Sequence, residues 1–327
     1  MNRREWLALA LIALPGATAF RAFAQSKYPD RPIRLIIPFP PGGVNDAVGR
    51  PWADKMSGLL GTVVIENVSG AGGSLGAATV ARAQPDGYTI LLGNTGTQVV
   101  NAIASTHPHY DALTSFEPIA VLGTSAVSIV VNPAVPAKTL TEFIAYAKAG
   151  SGKVSYGSPG VGTTSHLTGE LFKSLAGLPD LVHVPYRGAG PAIADAMGGQ
   201  VAMITPNVTG QLLELHKAGK LRILAVTTPK RLPAAPDIPT AIEAGLPDMV
   251  AINVIGLYAP AGSPDEIVRR IAEATRMAMS DPDVQQKYRA SGFDPTPESG
   301  PEAARQLLRD QIARWTPIIR AIGLKLD

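Results

Sequence analysis

Four glycine-rich turns are the features of this sequence best suited to chemistry, because each follows a β-rich segment and could bind an anion. They are Pro40–Gly43, Ser69–Gly73, Gly93–Gly96 and Ser158–Thr164. Three of the turns precede predicted helices, whose first N–H groups lack partners within the helix and attract anions. Because ligands of open α/β sheets bind at the carboxyl ends of strands, we expect the turns to converge on one cleft.

Uncharged hydrogen-bonding side chains accompany these turns, namely Asn45, Asn94, Thr95, Thr163 and Thr164. Each turn alone has a simpler interpretation, since glycine is common between a strand and a helix and Ser or Thr there often caps the helix. The turns do not form a nucleotide fingerprint, because Leu75 stands where G-x-G-x-x-G requires glycine and no P-loop lysine follows any turn. Their number and their spread along the chain favour a small-molecule site.

Three titratable residues near the turns have alternative roles that the sequence leaves open. Asp46 lies in the first turn of a predicted helix, where it could cap that helix or bind a ligand hydroxyl or ammonium. Arg187 is the only obvious cation near a strand end, and it could pair with a carboxylate or lie solvated at the rim. His166 opens the helix after the fourth turn, where capping, packing and ligand contact are all consistent with its position.

Known catalytic and metal-binding motifs are missing from the sequence. There is no cysteine, and the five histidines are scattered at positions 107, 109, 166, 183 and 216. Neither a G-x-S-x-G elbow nor an H-E-x-x-H motif occurs. We therefore expect no catalytic residue, no metal and no cofactor. The alternative is a secreted α/β hydrolase or transferase, which an unrecognised Ser, His and Asp grouping around Ser158 and His166 would support.

Residues 1–24 are predicted to be an export signal. Arg3 and Arg4 precede the apolar segment Trp6–Phe20, and Ala22-Phe23-Ala24 offers a cleavage site after Ala24. The Arg-Arg pair suits an ordinary signal or a twin-arginine signal. Without this segment the remaining chain carries a formal charge of +1, which gives no reason to expect nucleic acid binding. The mature protein is expected outside the cytoplasm.

Strands and helices alternate along the rest of the chain, which predicts an α/β fold. The 327 residues exceed the usual size of one domain, and the strand pattern restarts after Val127. We expect lobe 1 to comprise residues 25–127 and 254–327 and lobe 2 to comprise residues 128–253. Two crossover strands, near residues 124–131 and 250–257, would connect the lobes as a hinge. The C-terminal helices lack a sheet of their own and are expected to pack on lobe 1.

Two helix starts are predicted from capping boxes, in which a Ser or Thr precedes a Glu by three residues. Thr139 with Glu142 and Ser263 with Glu266 fit this pattern, and Pro264 suits the first turn of the second helix.

Several motifs resemble those of the substrate-binding proteins of tripartite tricarboxylate transporters, the Bug family of periplasmic receptors, and their order along almost the whole mature chain is similar. The motifs are Phe39-x-Pro41-Gly42-Gly43-x-x-Asp46, Glu66-Asn67-x-x-Gly70-Ala71-Gly72-Gly73, Pro85-Asp86-Gly87-Tyr88-Thr89, Ser158-x-Gly160-x-Gly162-Thr163, His166-Leu167, Val184-Pro185-Tyr186 and Gly198-Gly199-Gln200-Val201. Two positions depart from the family's pattern. Asn45 stands where Thr or Ser is commoner, and Ser69 stands where Pro is commoner.

The resemblance implies a two-lobed periplasmic-binding-protein fold that encloses a small carboxylated solute and delivers it to integral membrane transporter subunits. It implies that loop N–H groups and ordered water hold the carboxylate. By the same carry-over, one side of the cleft contains Phe39, Gly43 and Asp46, and the other contains Ser158, Gly162, Thr163 and His166.

The candidate ligand-binding residues, from both the turns and the resemblance, form one set. They are Phe39, Gly42, Gly43, Asn45, Asp46, Ser69, Asn94, Thr95, Ser158, Gly160, Gly162, Thr163, Thr164, His166, Tyr186 and Arg187. The protein is expected to be a monomer. A ligand sensor that serves a membrane signalling partner is a further alternative, since a sensor needs the same two bistable lobes.

Overall fold

The computed structural model describes residues 28–150 and 154–326. The predicted export signal therefore lies outside the described residues. The described chain forms two sheets with helices on both, as the alternation of strands and helices predicts. Among the described residues, no helix is long and apolar enough to cross a membrane.

The first sheet contains six strands from two separate parts of the chain. They are β1 (Ile33–Ile37), β2 (Val63–Asn67), β3 (Thr89–Asn94), β4 (Phe116–Ala126), β10 (Ile252–Pro260) and β11 (Phe293–Pro295). Their spatial order is β11-β4-β10-β3-β1-β2. β1 lies parallel to β2 and β3, as short strand-helix-strand connections require, whereas β10 is antiparallel to both β3 and β4.

The second sheet contains five strands in the order β7-β6-β8-β5-β9. They are β5 (Ser128–Val131), β6 (Ser155–Ser158), β7 (Val182–Pro185), β8 (Met203–Ile204) and β9 (Arg222–Val226). β6 is parallel to β7 and β8, while β5 is antiparallel to β8 and β9. Each sheet with its helices forms one lobe of a two-lobed α/β fold.

The helices follow the strands closely along the chain. They are α1 (Val44–Leu59), α2 (Ser74–Ala81), α3 (Asn101–Ala104), α4 (Leu140–Ala149), α5 (Thr164–Leu175), α6 (Ala189–Met197), α7 (Gly210–Lys217), α8 (Asp265–Ser280), α9 (Pro282–Ala290) and α10 (Pro301–Ala321). Thr139 caps α4 through a hydrogen bond from the Glu142 N–H (3.1 Å), so that capping prediction is confirmed.

The predicted cap of the later helix is wrong by one residue. Pro264, not Ser263, precedes the first residue of α8, and the Ser263 hydroxyl donates to the Pro260 carbonyl (2.8 Å). A turn between β10 and α8 holds this hydroxyl, so it does not reach the helix N–H groups.

Two neighbouring strands carry the chain between the lobes. β4 leads directly into β5, and β10 returns beside β4, with Ile252 paired to Ala126. At the crossing, the Thr227 N–H donates to the Val127 carbonyl (2.9 Å) and the Ala251 N–H donates to the Thr227 carbonyl (3.0 Å). The two crossover strands are therefore joined where they leave the first sheet.

The C-terminal helices pack against α1 of the first sheet. Trp52 of α1 is fully buried, and its indole N–H lies 3.3 Å from the Thr275 hydroxyl of α8. The Tyr288 hydroxyl of α9 donates to the Val48 carbonyl of α1 (2.7 Å). These contacts fix the position of α1, whose first turn faces the other lobe.

Close packing of α5 against β6 supports the second lobe beneath the cleft. Gly169 of α5 lies directly on the Tyr156 ring, and a Cβ atom at this position would overlap ring carbons. We expect Gly169→Ala to lower the free energy of unfolding by about 1 to 3 kcal/mol, because overpacking displaces the ring. Gly58→Ala is the control, since its Cβ meets nothing within 4 Å and alanine favours the helix by about 1 kcal/mol. Urea denaturation measures both, and equal stability of the two variants would contradict this packing.

Candidate functional site

Three helix N-termini converge on a cavity of about 100 Å³ between the lobes. α1 begins after Gly43, α5 after Thr163 and α6 after Gly188. The cavity is lined by Phe39, Pro40, Pro41, Gly43, Val44, Asn45, Asn94, Pro159, Thr163, Thr164, Ser165, Arg187, Gly188, Ala189, Gly190, Pro191 and Asn207. Since the first turn of each helix carries N–H groups without intrahelical partners, the cavity collects positive partial charge from both lobes.

The start of α1 has no side-chain cap. Gly43 makes no side-chain cap, and the first intrahelical bond runs from the Ala47 N–H to the Gly43 carbonyl (3.0 Å). The N–H groups of Val44 and Asn45 therefore have no partner within the helix, and both residues line the cavity.

Asp46 stabilises this turn and does not line the cavity. Its carboxylate accepts hydrogen bonds from the Gly42 N–H (3.1 Å) and from two nitrogens of Arg50 (2.8 and 2.9 Å). Burial raises the pKa of Asp46, but the hydrogen bonds from Arg50, Gly42 and Asn67 more than offset this, so the pKa lies below its usual range. The ionised carboxylate of Asp46 thus stabilises the turn without lining the cavity.

Two amide side chains form the floor of the cavity in the first lobe. Asn45 donates to the Leu92 carbonyl (3.0 Å) and accepts from the Asn94 side chain (3.0 Å). Thr95 next to them accepts from the Val254 N–H (2.9 Å), which ties β3 to the crossover strand β10. The floor is therefore fixed by hydrogen bonds within its own lobe.

The second lobe contributes the start of α5. Thr163 caps this helix by accepting from the His166 N–H (3.1 Å), and its hydroxyl donates to the Gly160 carbonyl (2.7 Å). The Thr164 hydroxyl donates to Asn253 of β10 (3.0 Å), so the helix start is connected to a crossover strand. The hydroxyl of Ser165 and the side-chain oxygen of Asn207, in contrast, are buried without a partner.

A larger pocket of about 500 Å³ adjoins the cavity and shares part of its wall. The pocket is lined by Pro38, Phe39, Pro40, Ser69, Gly70, Ala71, Gly72, Gly73, Pro159, Gly160, Val161, Pro185, Tyr186, Arg187 and Gly188. Arg187 is exposed and borders both spaces. Among the described residues that line either space, none is Asp or Glu, and Arg187 alone is charged.

The lobes touch across the cleft through glycines. A Cβ atom at Gly72 would overlap the Val161 carbonyl oxygen of the other lobe, and one at Gly188 would lie 3.2 Å from Pro40. The Asn101 side chain donates to the Gly162 carbonyl across the same cleft (3.2 Å). Backbones approach this closely only where side chains are absent, so the structure is a closed arrangement of the lobes.

Stacked aromatic side chains support the turn before α5. The rings of His166 and His183 stack with centroids 4.1 Å apart, and Tyr156 stacks on His183 at 4.8 Å. His166 Nδ1 accepts from the Gly162 N–H (3.2 Å), which requires an unprotonated nitrogen. Burial lowers the pKa of His166 to about 4, and burial together with the nearby His166 lowers the pKa of His183 to about 4.

Ser158 lies 2.7 Å from His183 Nε2, which is the hydrogen-bond geometry of a nucleophile and its base. Ser158 is fully buried, however, and lines neither the cavity nor the larger pocket. The described residues show no carboxylate hydrogen-bonded to His183. The pair therefore fastens β6 to β7 and has no substrate access in this arrangement.

The candidate residues from the sequence fall into two groups. The lining residues of one or both spaces are Phe39, Gly43, Asn45, Ser69, Asn94, Gly160, Thr163, Thr164, Tyr186 and Arg187. The residues that lie behind these walls are Gly42, Asp46, Thr95, Ser158, Gly162 and His166. All four glycine-rich turns contribute to the walls.

Sequence reasoning missed the start of α6, together with Ser165 and Asn207. Gly188-Ala189-Gly190 follows β7, so it repeats the strand, glycine and helix pattern of the other turns and could have been found. Asn207 follows the two-residue strand β8 without any glycine, and no local signal marks it.

The buried histidines make the stability of the fold depend on pH. Because the pKa of His166 is lower in the folded protein than its usual value of about 6.5, the unfolded chain binds more protons between pH 6.5 and pH 4. The free energy of unfolding should therefore be constant above pH 6.5 and fall as the pH drops toward 4, by at most about 1.4 kcal/mol per pH unit for this group.

His166→Asn tests this dependence, because the amide oxygen can still accept from Gly162 but does not titrate. We expect the variant to show a shallower fall in denaturant midpoint between pH 6.5 and pH 4. His109→Gln, at an exposed position, is the control and should follow the original protein. An unchanged pH slope in His166→Asn would contradict the buried neutral imidazole.

Comparison with known proteins identifies the family. The model of the tripartite tricarboxylate transporter family receptor, TctC, matches residues 48–324. A UPF0065 protein of Bordetella pertussis is 38% identical over 319 residues, which is 97% of this chain and 97% of that protein. BugT of the same organism is 33% identical and covers 100% of both chains.

Solved structures agree with this assignment. The periplasmic binding protein BugD has a TM-score of 0.86 and 33% identity, over 91% of this chain and 99% of its own. MatC from Rhodopseudomonas palustris, solved with bound malate, has a TM-score of 0.85 and 31% identity, over 89% and 100%. A further R. palustris protein, solved with adipate, has a TM-score of 0.86 and 32% identity, over 91% and 99%. The chain belongs to the tripartite tricarboxylate transporter receptor family, whose structural relatives are the Bug periplasmic binding proteins.

Proposed function

We propose that this protein is a periplasmic receptor that encloses a small carboxylated solute between its lobes and delivers it to the membrane subunits of a tripartite tricarboxylate-type transporter. The observation that carries the proposal is the convergence of the α1, α5 and α6 N-termini on one cavity whose described lining contains no acidic side chain. Relatives solved with malate and with adipate support a carboxylate as the ligand.

Backbone N–H groups provide most of the binding energy in this proposal. A hydrogen bond to a charged group contributes about 1.5 to 3 kcal/mol, whereas an exposed charge contributes about 1 kcal/mol or less. The N–H groups at the starts of α1 and α5 are held rigidly by their turns, so a carboxylate meets donors that are already oriented. Arg187 at the rim adds a peripheral attraction that reaches both spaces.

The lobes of the proposed receptor correspond to residues 25–127 with 254–327 and to residues 128–253. The separation of the strands into two sheets, with β1–β4, β10 and β11 in one and β5–β9 in the other, supports these bounds. The proposed receptor is exported through the signal in residues 1–24 and acts as a monomer. The solute would hold the lobes together because each lobe contributes helix N-termini to the same cavity.

Thermal shift with a panel of acids tests the function directly. The mature protein, from residue 25, is heated with mono-, di- and tricarboxylates and with the matching amides, which have similar shape and no charge. A ligand at 100 times its Kd should add about 2.7 kcal/mol to the free energy of unfolding. We expect at least one acid to stabilise the protein and its amide to have no effect. Stabilisation by none of the acids, or equally by the amides, would overturn the proposal.

Contact between Gly72 and Val161 predicts that closure of the lobes is sensitive to one methyl group. Gly72→Ala places a Cβ atom against the Val161 carbonyl, so we expect the lobes to be held apart and affinity for the stabilising acid to fall at least tenfold. Gly42→Ala is a matched control, because Gly42 also has a positive φ (86°, against 62° for Gly72) but its Cβ meets nothing within 4 Å.

Calorimetric titration measures the two affinities, and small-angle scattering compares the radius of gyration with and without the acid. Gly42→Ala should bind within a few-fold of the original protein and become more compact with the acid. Equal affinity of both variants would show that this contact does not limit closure.

A further inference from the structure

A further pocket of about 440 Å³ lies between the lobes, apart from the cleft, and is called the hinge pocket below. One wall is the segment 228–234, which follows β9 of the second sheet. The other wall is formed by the end of α9 and by β11, at residues 289 and 292–294. None of the described residues that line it borders the cavity or the larger pocket of the cleft. Its volume is typical of small-molecule sites, which range from about 300 to 1,000 Å³.

Much of the lining of the hinge pocket is apolar. The apolar residues are Pro229, Leu232, Pro233, Ala234 and Phe293. Leu232 and Phe293 are buried, and the segment that carries Leu232 is held by its own hydrogen bonds. The Thr228 hydroxyl donates to the Lys230 carbonyl (2.7 Å), and the Ala235 N–H donates to the Leu232 carbonyl (3.0 Å). A ligand therefore meets an apolar wall that is already ordered.

Three cations and one carboxylate also line the hinge pocket. Arg231 is occupied, because its guanidinium donates to the Glu243 carboxylate (2.9 and 3.1 Å). Among the described residues, no carboxylate lies within 4.0 Å of the charged groups of Lys230 or Arg289, the acidic lining residue Asp294 included. Arg289 donates to a neutral amide side chain of its own helix (2.9 Å). One cation from each lobe is thus left without a counter-charge beside an apolar surface.

This combination favours an organic acid as the ligand. A carboxylate can accept charge-assisted hydrogen bonds from an ammonium and a guanidinium, and an apolar body attached to it removes the apolar wall from water. An inorganic anion would leave the apolar wall hydrated, and a neutral apolar molecule would leave both cations without a partner. A concave pocket with few charged groups and an apolar lining suits a small molecule.

Both walls of the hinge pocket are attached to the same crossover segment. Phe293 of one wall pairs with Ser125 of β4. The Thr227 N–H, next to the other wall, donates to the Val127 carbonyl (2.9 Å), two positions further along the chain. Any bend of the chain between Ser125 and Val127 therefore changes the distance between the walls. A ligand that fits the walls at their present distance binds the closed arrangement better than an open one.

We propose that the hinge pocket is a second binding site for an organic acid with a compact apolar body, such as an aromatic monocarboxylate, and that its occupant favours closure of the lobes. The site itself is independent of the proposed function. The effect on closure rests on the proposed function, because it is measured through the solute of the cleft. By linkage, each ligand raises the affinity of the protein for the other by the same factor.

Calorimetric titration of the mature protein with benzoate, phenylacetate and 3-phenylpropionate tests the site, and the corresponding amides are the uncharged controls. We expect at least one acid to bind and its amide to bind at least tenfold more weakly. The double variant Lys230→Gln/Arg289→Gln should lose at least tenfold in affinity for this acid, because it removes two charge-assisted hydrogen bonds.

The double variant Lys220→Gln/Lys287→Gln is the matched control. It changes the net charge by the same amount, and both lysines are exposed and lie outside the hinge pocket. We expect it to bind the aromatic acid within about twofold of the original protein.

A second titration measures the carboxylate solute identified by thermal shift, with and without a saturating concentration of the aromatic acid. We expect the aromatic acid to raise solute affinity about fivefold or more in the original protein and to have no effect in Lys230→Gln/Arg289→Gln. Without the aromatic acid, this variant should bind the solute like the original protein, since neither residue lines the cavity or the larger pocket of the cleft.

The outcomes separate this inference from the proposed function. If no aromatic acid binds, or if Lys230→Gln/Arg289→Gln binds it as tightly as the control variant does, the site is wrong, and the thermal-shift panel still decides the proposed function. If the aromatic acid binds through these residues but leaves solute affinity unchanged or lowers it, the effect on closure is wrong. If no solute binds in the cleft, the proposed function fails together with the effect on closure, while the two double variants still decide the site.

Discussion

The cavity between the lobes is surrounded by backbone N–H groups that cannot be satisfied by their own helices. An α-helix leaves its first N–H groups without partners, and here three such helix starts face one small cavity. Water or a cap normally satisfies these groups, but Gly43 and Gly188 offer no side chain. In the proposed receptor, an anion between the lobes would satisfy several of them at once, so ligand binding and closure of the lobes would be favoured by the same interactions.

Most other polar groups around the cleft are satisfied within the protein, and this gives the remaining ones their significance. The carboxylate of Asp46 is held by Arg50 and the Gly42 N–H, and the amides of Asn45 and Asn94 bond to each other. These contacts orient the walls and leave little for a ligand to exchange. The groups that stay free at the cavity are the N–H donors of the helix starts, and such donors suit an anion.

Glycine makes the closed arrangement possible because it lets backbones of the two lobes touch. Gly72 meets the Val161 carbonyl, and Gly188 lies against Pro40, so each turn that contributes to the walls also contributes a contact across the cleft. Any larger residue at Gly72 would separate the lobes beside the pocket between them. The turns that the sequence predicts as anion-binding sites therefore also form the contacts between the two lobes.

The sequence alone determined the features that depend on neighbouring residues. The alternation of strands and helices predicted both α/β sheets, Thr139 predicted the cap of α4, and the four glycine-rich turns predicted walls of the cleft. Local spacing carries this information because helix caps, turns and strand periodicity arise within a few residues. The prediction that Ser263 caps α8 was wrong, because the Ser263 hydroxyl donates to the Pro260 carbonyl in the same turn.

Only the tertiary structure decided which of these groups reach the cavity and which are already occupied. It placed His183 between Ser158 and His166, and it brought Ser165 and Asn207, which are 42 positions apart in the sequence, to the wall of one cavity. The packing of the lobes also determines whether a polar atom keeps a partner, as Thr164 does at Asn253 and Ser165 does not. Such differences between neighbouring residues arise from contacts distant in sequence, which no local pattern records.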